Sequence, residues 1–194
     1  IDKLEKLAAD LDGKAEAFGC DASDPASVKS ALEEAARRLG PIDALLYNAG
    51  SGVFGSIDEI TAEDLEAAWR INVLGLYAAV KTVLPGMRER GEGRVLVTGA
   101  TASVRGGAGF AAFAPAKAAQ RSLAQSLARK LGPEGIHVAI AIVDGVVDLA
   151  RTRQMMPDRP NEAFLQPDDV ADAMWFLAEQ PRSAWTFELD LRPH

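Results

Sequence analysis

The sequence predicts an α/β domain with a parallel sheet, and two observations carry this prediction. Short apolar runs of β type alternate with longer stretches of helical periodicity, which is typical of strands joined by helical crossovers. The run 136–143 is the most continuous apolar segment, and in parallel sheets such a run indicates a strand buried on both faces. We therefore expect residues 1–194 to form a single domain with 136–143 as a central strand.

The first quarter of the chain reads as helix, strand and helix. Residues 1–11 are amphipathic, but no initiator Met and no capping residue precede them. Residues 15–20 read as a strand. Asp24 followed by Pro25 is typical of a helix start, and the apolar periodicity carries that helix to about residue 39.

The middle of the chain predicts two further strands and a long helix. Residues 41–47 and 93–98 are short apolar runs of strand type. Thr61 and Asp64 have the spacing of a capping box, which predicts the start of a helix over about 62–84.

The last part of the chain continues the alternation. A loop of small residues leads to Gly109, and a helix is expected over about 110–131. Residues 148–166 look rich in loops. A capped helix over 167–177 and an alternating strand over 185–191 complete the predicted elements.

Composition excludes several classes of function. The 21 basic and 28 acidic residues give a net charge of −7, which disfavours binding to nucleic acid or to an anionic membrane surface. The single Cys20 excludes an internal disulfide, and with only His137 and His194 beside it a zinc site is not expected. No apolar run reaches the length of a membrane span, and no signal peptide opens the sequence. We expect a cytoplasmic protein that acts on a small molecule.

Candidate ligand-binding residues follow the strand 41–47. Asn48, Ala49 and Gly50 end this strand, where open α/β sheets bind ligands, and small residues there let a flat ring approach the backbone. Taken alone, the three residues also suit an ordinary turn. Asn72 is a polar residue on an otherwise apolar helix, so it needs a partner if it is buried; that partner is either a ligand or the helix backbone.

Lys117 lies one helical turn after Phe113. A lysine buried near the start of an amphipathic helix needs a polar companion, and four residues earlier one expects an oxygen rather than a phenyl ring. The alternative is a surface lysine whose stem covers apolar neighbours.

The Asn48-Ala49-Gly50 element, Asn72 and Lys117, in this order, resemble the short-chain dehydrogenase/reductase (SDR) family. The resemblance covers the whole chain. It implies a Rossmann-like, doubly wound parallel sheet that binds NAD or NADP and assembles as a homodimer or homotetramer. It also implies that residues 48–50 line the adenosine pocket, that Asn72 holds a water in a proton relay, and that Lys117 contacts the nicotinamide ribose.

The resemblance assigns further cofactor contacts. Asp21 would accept a hydrogen bond from the adenine amino group, although an acid before a helix is an equally simple explanation of this residue. Gly145 follows the strand 136–143, and the backbone of Val147 would meet the nicotinamide carboxamide. The sequence departs from the family at Asp144, where proline is usual, and at Leu149, where a threonine hydroxyl often helps.

The two residues that act as acid and substrate anchor in the family are replaced. Phe113 stands where the family has its catalytic tyrosine, and Ala100 stands where an ungapped count places its serine. Hydroxyls lie close by on Thr98, Thr101 and Ser103, and we take Ser103 as the catalytic candidate. Loss of a positioned general acid costs roughly 10² to 10⁴ in rate, so the proton donor is expected to be atypical.

The resemblance also implies two strands and a Gly-rich phosphate loop before Ile1. Gly106, Gly107 and Gly109 do not substitute for that loop, because they follow the wrong strand. We therefore expect about 35 to 55 further residues upstream, the span of a βαβ start. The residues that distinguish NAD from NADP would lie there.

Three functions follow as hypotheses. The first is an NAD(P)-dependent oxidoreductase for a small carbonyl or alcohol, with Arg105 and Arg151 as the nearest cations for an acidic substrate. The second is an inactive dinucleotide-binding or interaction protein that retains the fold. The third is a rearranged oligomer of this chain with no cofactor site. Small and apolar residues on more than one face of helices 62–84 and 110–131 predict packing between subunits.

Overall fold

Helices and strands alternate along the chain in the computed structural model, which describes residues 2–11 and 14–194. The helices are α1 (Asp2–Ala9), α2 (Pro25–Leu39), α3 (Ala62–Trp69), α4 (Gly75–Arg90), α5 (Phe113–Leu131), α6 (Ala150–Met155) and α7 (Pro167–Glu179). The strands are β1 (Ala44–Tyr47), β2 (Gly93–Ala100), β3 (Ile136–Val143), β4 (Val146–Val147), β5 (Phe164–Leu165) and β6 (Glu188–Leu191). Within the described ranges, no helix has both the length and the apolar character needed to cross a membrane.

The main sheet has four parallel strands in the order β1-β2-β3-β6. Strands β2 and β3 pair over their full length, from Gly93 opposite Ile136 to Ala100 opposite Val143. Every residue of β3 is buried, as expected for a central strand with helices on both faces. The predicted fold class, a mostly parallel sheet flanked by helices, is confirmed.

Two apolar layers enclose this sheet. On one face, α2, α4 and α5 pack against alternate residues of the strands, and Leu76, Met87 and Ile140 are fully buried there. On the other face, Leu177 of α7 packs against Leu96 of β2 and its neighbours. This arrangement leaves the carboxyl ends of the strands open at one edge of the sheet, where loops can form a site.

Local sequence signals explain where two of the helices begin. The Asp24 side chain accepts a hydrogen bond from the Ala26 N–H at 3.0 Å, and Pro25 occupies the first turn of α2. At the start of α3, the Thr61 hydroxyl and the Asp64 carboxylate accept each other's backbone N–H groups, at 3.2 and 2.9 Å. Both predicted caps are confirmed.

The strand predicted over residues 15–20 is wrong. These residues adopt no regular secondary structure, and within the described part of the chain no strand is hydrogen-bonded beside them. A strand exists only through its neighbour, so an apolar run without a pairing partner does not form one. The helix predicted over 1–11 is observed as α1, while Ile1 lies outside the described residues.

The predicted helix over 62–84 is interrupted and ends later than expected. A π-helical turn, Arg70–Leu74, separates α3 from α4, and α4 continues to Arg90. Helix α5 begins at Phe113 rather than at residue 110. The segment 148–166, expected to be rich in loops, contains α6 and the short strand β5.

The π-helical turn is fixed by a close contact with strand β1. The buried hydroxyl of Tyr47 donates a hydrogen bond to the Ile71 carbonyl at 2.5 Å, and burial raises the pKa of this phenol. Gly75 lies directly beside the phenol. A Cβ atom at residue 75 would lie 2.2 Å from the Tyr47 Oη and 2.4 Å from the Ala22 carbonyl oxygen, so only glycine allows this approach.

We therefore predict opposite effects for two glycine substitutions in α4. Gly75→Ala should destabilise the protein by about 1–3 kcal/mol, because the added methyl group meets backbone and a bonded phenol. Gly86→Ala is the matched control; there a Cβ would meet only the flexible end of Arg90, at 3.3 Å, and alanine favours the helix by about 0.5–1 kcal/mol. Urea denaturation monitored by circular dichroism measures both. Equal effects would contradict the close contact.

Candidate functional site

The candidate site lies at the carboxyl ends of three neighbouring strands. Asn48 follows β1, Thr101 follows β2 and Asp144 follows β3. The Thr101 hydroxyl donates a hydrogen bond to the Asp144 carboxylate, which ties the ends of β2 and β3 together. Parallel strands bring these loops to one edge, the position at which open α/β sheets bind their ligands.

Lys117 extends from the second turn of α5 into this edge and is only 5% exposed. Its ammonium donates one hydrogen bond to the Thr98 carbonyl at 2.8 Å and another to the Gln120 side-chain oxygen at 2.9 Å. An ammonium has three N–H donors, so one is left over from these two bonds. Lys117 therefore does not have the solvent-exposed arrangement that the sequence left open.

Burial changes the proton affinity of this lysine. Removal of the amine from water disfavours its charged form and lowers the pKa of Lys117 to about 8. Both of its protein acceptors are neutral, so neither offers the stabilisation that a carboxylate would provide. At neutral pH most of the amine still carries a positive charge, at the open edge of the sheet.

Asn72 lies in the π-helical turn and is fully buried. Its side-chain N–H₂ donates to the Ala68 carbonyl at 2.8 Å, but its Oδ1 has no hydrogen-bond partner among the residues that the structure describes. A buried amide oxygen without a partner costs about 1–3 kcal/mol, so such atoms commonly contact a water or a ligand.

Gly50 lies beside the side chains of both Asn72 and Lys117. A Cβ atom at residue 50 would lie 3.5 Å from the Asn72 Oδ1 and 3.6 Å from the Lys117 Nζ. The glycine thus leaves open a space that an acceptor and a cationic donor both border. Of the predicted site residues, Gly50, Asn72 and Lys117 are brought together directly. Asn48 is exposed and Ala49 half-buried beside them.

The three candidate hydroxyls have separate local contacts. Thr98 contributes its backbone carbonyl to Lys117, and Thr101 bonds to Asp144. Ser103 is buried, and its Oγ accepts a hydrogen bond from the Ala100 N–H at 3.0 Å. Because Ser103 acts there as an acceptor, its own O–H remains able to donate.

Three phenylalanines gather around the start of α5. Phe54 contacts Phe110 and Phe113 edge-on, with ring centroids 5.4 and 5.5 Å apart. Backbone hydrogen bonds join the loop around Gly55 to the loop before α5. The Gly55 N–H donates to the Gly109 carbonyl at 2.8 Å, and the Gly55 carbonyl accepts from the Ala111 N–H at 3.0 Å. We call Phe54, Phe110 and Phe113 the phenylalanine cluster. Phe54 and Phe110 are exposed, so the cluster presents an apolar surface at the start of the helix that carries Lys117.

Asp21 lies in the exposed turn before α2. Its carboxylate accepts hydrogen bonds from the Ser23 hydroxyl and N–H, at 2.7 and 2.8 Å, and these bonds lower the pKa of Asp21. These contacts form a local turn, as expected for an acidic residue that simply precedes a helix. The carboxylate remains accessible.

Gly145 and Val147 lie on the segment after β3. A Cβ at residue 145 would lie 2.7 Å from a Pro193 ring carbon, and Val147 pairs with Leu165 in the small β4-β5 ladder. The Val147 carbonyl accepts from the Thr152 hydroxyl at 2.6 Å. This segment is therefore held by strand pairing and by α6.

The two arginines considered for an acidic substrate differ in their contacts. Arg105 lies 3.7 Å from the Asp144 carboxylate, so its charge is already paired, and its side chain is 71% exposed. Arg151 is exposed at the start of α6.

Gln120 is a site residue that the sequence reasoning missed. It is fully buried and lies three residues after Lys117, so both side chains project from one face of α5. A glutamine at this spacing on an otherwise apolar face was the available signal.

Comparison with known proteins identifies the family. The family model described as short chain dehydrogenase matches residues 1–160 of this sequence. This match extends over most of the chain and includes the first three strands of the main sheet together with Asn72 and Lys117. The chain therefore belongs to the short-chain dehydrogenase/reductase family, as the resemblance of its motifs implied.

Three similar proteins are informative. The inactive 2-(S)-hydroxypropyl-CoM dehydrogenase 2 of Xanthobacter autotrophicus is 33% identical, and the alignment covers 89% of this chain and 81% of the relative. A short-chain dehydrogenase structure from Rhodopseudomonas palustris is 35% identical, with a TM-score of 0.83 over 100% of this chain and 82% of that one. An alcohol dehydrogenase from Thermococcus sibiricus, complexed with 5-hydroxy-NADP, is 27% identical, with a TM-score of 0.84 over 99% and 82% of the two chains.

The lowered pKa of Lys117 predicts a pH-dependent stability. Between pH 8 and pH 10 the unfolded chain binds more protons than the folded one, because its lysine titrates near the ordinary 10.5 rather than at about 8. Lys117 therefore destabilises the fold at pH 7, and this cost fades as the pH rises through the folded pKa. The free energy of unfolding of the parent, compared with that of Lys117→Met at the same pH, should therefore rise by about 2 kcal/mol from pH 7 to pH 10.

Urea denaturation at the two pH values measures this difference. The exposed Lys81 provides the control, and the parent and Lys81→Met should differ by the same amount at both values, because that amine is solvated in both states. If the free energies of unfolding of the parent and Lys117→Met differed by the same amount at both pH values, the buried charge would be ruled out.

Proposed function

We propose that this protein is an NAD(P)-dependent oxidoreductase that acts on a small alcohol or carbonyl compound. The observation that carries the proposal is the convergence of Gly50, Asn72 and Lys117 at the carboxyl edge of the sheet. There, a buried amine retains one N–H beyond its two protein bonds, and a buried amide oxygen has no partner in the described part of the chain. A ribose hydroxyl can both accept from such an amine and donate to such an oxygen.

The residues present fit a nicotinamide dinucleotide. Gly50 keeps the space beside Lys117 open, and a flat ring can approach the backbone there. Lys117 would bond to the nicotinamide ribose, and the accessible carboxylate of Asp21 could accept from the adenine amino group. Asn48 and Ala49 would border the adenosine, and Gly145 and Val147 would lie along the nicotinamide. When bound, the dinucleotide supplies hydride transfer.

Proton delivery is the unusual part of this proposal. Phe113 has no proton to give, so the charge of Lys117 has no phenol to activate. The Ser103 hydroxyl, whose oxygen accepts from Ala100, can still donate to a substrate oxygen. A neutral hydroxyl is a weak acid, so Ser103 would orient the substrate while the proton comes from a water. This favours a slow enzyme or a substrate that is easily reduced.

The phenylalanine cluster supports an uncharged, partly apolar substrate. Phe54 and Phe110 expose their rings beside the start of α5, and the nearby Arg105 is already paired with Asp144. Apolar surface at a site favours substrates that bury carbon rather than charge. The structure named as an alcohol dehydrogenase also supports a small alcohol.

The second candidate is a dinucleotide-binding protein without turnover. Two observations favour it, namely the absence of a phenol at Phe113 and the description of a relative at 33% identity as inactive. The same residues would bind the cofactor in both cases, so binding alone does not separate the two functions. Only a measurement of turnover distinguishes them.

We also propose that the protein forms a homo-oligomer through α3, α4 and α5. Leu65, Trp69 and Tyr77 expose apolar surface on α3 and α4 although neighbouring positions are buried. Large exposed apolar side chains in one region commonly mark an interface. A twofold axis would pair this surface with itself.

The central test restores the missing phenol. Phe113→Tyr should raise turnover by roughly 10² to 10⁴, because a general acid is returned four residues before the buried amine. Phe176→Tyr is the control; it adds the same hydroxyl to an exposed ring on α7, outside the phenylalanine cluster, and should leave the rate unchanged. The measurement is NADPH or NADH consumption with a panel of small ketones and aldehydes, and NAD⁺ or NADP⁺ reduction with alcohols.

Cofactor binding is measured on the same proteins by quenching of NADPH or NADH fluorescence. Binding with no turnover in the parent, but turnover in Phe113→Tyr, would support the second candidate. Absence of binding to the parent protein would eliminate both.

The expected oligomer is tested by light scattering at micromolar concentration. The mass should be two or four times that of the monomer, and Trp69→Glu should shift it toward the monomer because a charge would be buried in the interface. Glu63→Gln, an exposed change on the same helix, should not alter it. A monomer mass for the parent would contradict this assembly.

A further inference from the structure

The side chain of Gln120 connects the two helices that carry the site. Its Oε1 accepts a hydrogen bond from the Lys117 Nζ at 2.9 Å, and its Nε2 donates to the Asn72 backbone carbonyl at 2.9 Å. Gln120 is fully buried, so water does not compete for these bonds. A single amide thus links the amine on α5 to the π-helical turn before α4.

This geometry restricts where the Lys117 amine can point. Gln120 and the Thr98 carbonyl hold the ammonium from two sides, and the third N–H then has a defined direction. Gly50 is a further neighbour of the amine, since its Cβ position is 3.6 Å from the Nζ. Without Gln120 the amine would keep one fixed bond and could rotate about its flexible four-carbon stem.

The chemistry of an amide also matters. A carboxylate at the same place would hold the ammonium more strongly and keep it charged, whereas the neutral oxygen of Gln120 adds no opposite charge. An amide neither gains nor loses a proton near neutral pH. Protons therefore cannot pass from Lys117 through Gln120 to the backbone.

We propose that Gln120 is the positioning residue of this site, which directs the Lys117 amine toward Gly50 and tunes its affinity for a proton. The positioning of the amine is independent of what binds there, whereas its consequence for the nicotinamide ribose rests on the proposed function. Gln120 itself does not contact the reacting atoms.

The test uses two substitutions with opposite expected effects on one observable. The protein is labelled with ¹³C-lysine, and the Lys117 side-chain signal, assigned by its loss in Lys117→Met, is followed from pH 6 to pH 11. Gln120→Glu adds an opposite charge and should raise the titration midpoint by about one pH unit or more. Gln120→Leu removes an acceptor of the charged form and should lower the midpoint.

The same two changes at Gln125 provide a matched control. This residue is half-buried on the same helix, and its side chain takes no part in the Lys117 contacts. Gln125→Glu and Gln125→Leu should leave the titration midpoint where it is in the parent. If the Leu variant of Gln120 does not fold, the Glu variant is sufficient, because it retains the shape and the acceptor.

If the titration midpoint of Lys117 did not move in Gln120→Glu, the proposal would be overturned. That result is expected when residue 120 lies too far from the amine to affect it. NADPH binding, measured in parallel, separates the two claims. A shifted midpoint without NADPH binding to the parent retains the positioning role and removes the proposed function. Binding to the parent that weakens at least tenfold in Gln120→Leu, but not in Gln125→Leu, supports both.

Discussion

The site depends on a positive charge held out of water by neutral partners. Lys117 is buried, and its ammonium is bonded to a backbone carbonyl and to the Gln120 amide instead of a carboxylate. The desolvation cost is therefore only partly compensated, and the pKa falls to about 8. A charge in this state would be stabilised further by any ligand oxygen that reached it.

The rest of the fold keeps this amine in place. Strand β2 presents the Thr98 carbonyl, the π-helical turn presents Asn72 beside it, and α5 carries both Lys117 and Gln120. Tyr47 fastens the π-helical turn to β1 through the Ile71 carbonyl. The close approach at Gly75 allows that contact. Each helix is thus positioned by the sheet, and the site follows from their common edge.

The phenylalanine cluster gives this family member its particular character. Phe113, whose ring has no hydroxyl, precedes the buried Lys117 by one helical turn. Phe54 contacts the rings of both Phe113 and Phe110. The arrangement places an apolar surface at the start of the helix that carries the buried amine. Under the proposed function, Lys117 would bind the cofactor, while proton transfer would fall to a group other than Phe113.

Much of the fold was predictable because its signals are local. The capping residues Asp24 and Thr61 start helices where the sequence indicates, and the continuous apolar run 136–143 forms a fully buried strand. Lys117 and Asn72 were recognisable as polar residues on apolar helices. The strand expected at 15–20 failed for the opposite reason, because strand formation needs a partner elsewhere in the chain.

The sequence by itself determined the α/β class, the caps that start α2 and α3, and the presence of the polar residues Asn72 and Lys117 on apolar helices. Only the tertiary structure decided that Gln120 bridges Lys117 and Asn72, and that Gly50 lies against both. Periodicity reports which face of an element is buried, but it cannot report which buried groups meet. Hydrogen bonds between residues 48 positions apart, such as that from Gln120 to Asn72, exist only once the sheet has brought the helices together.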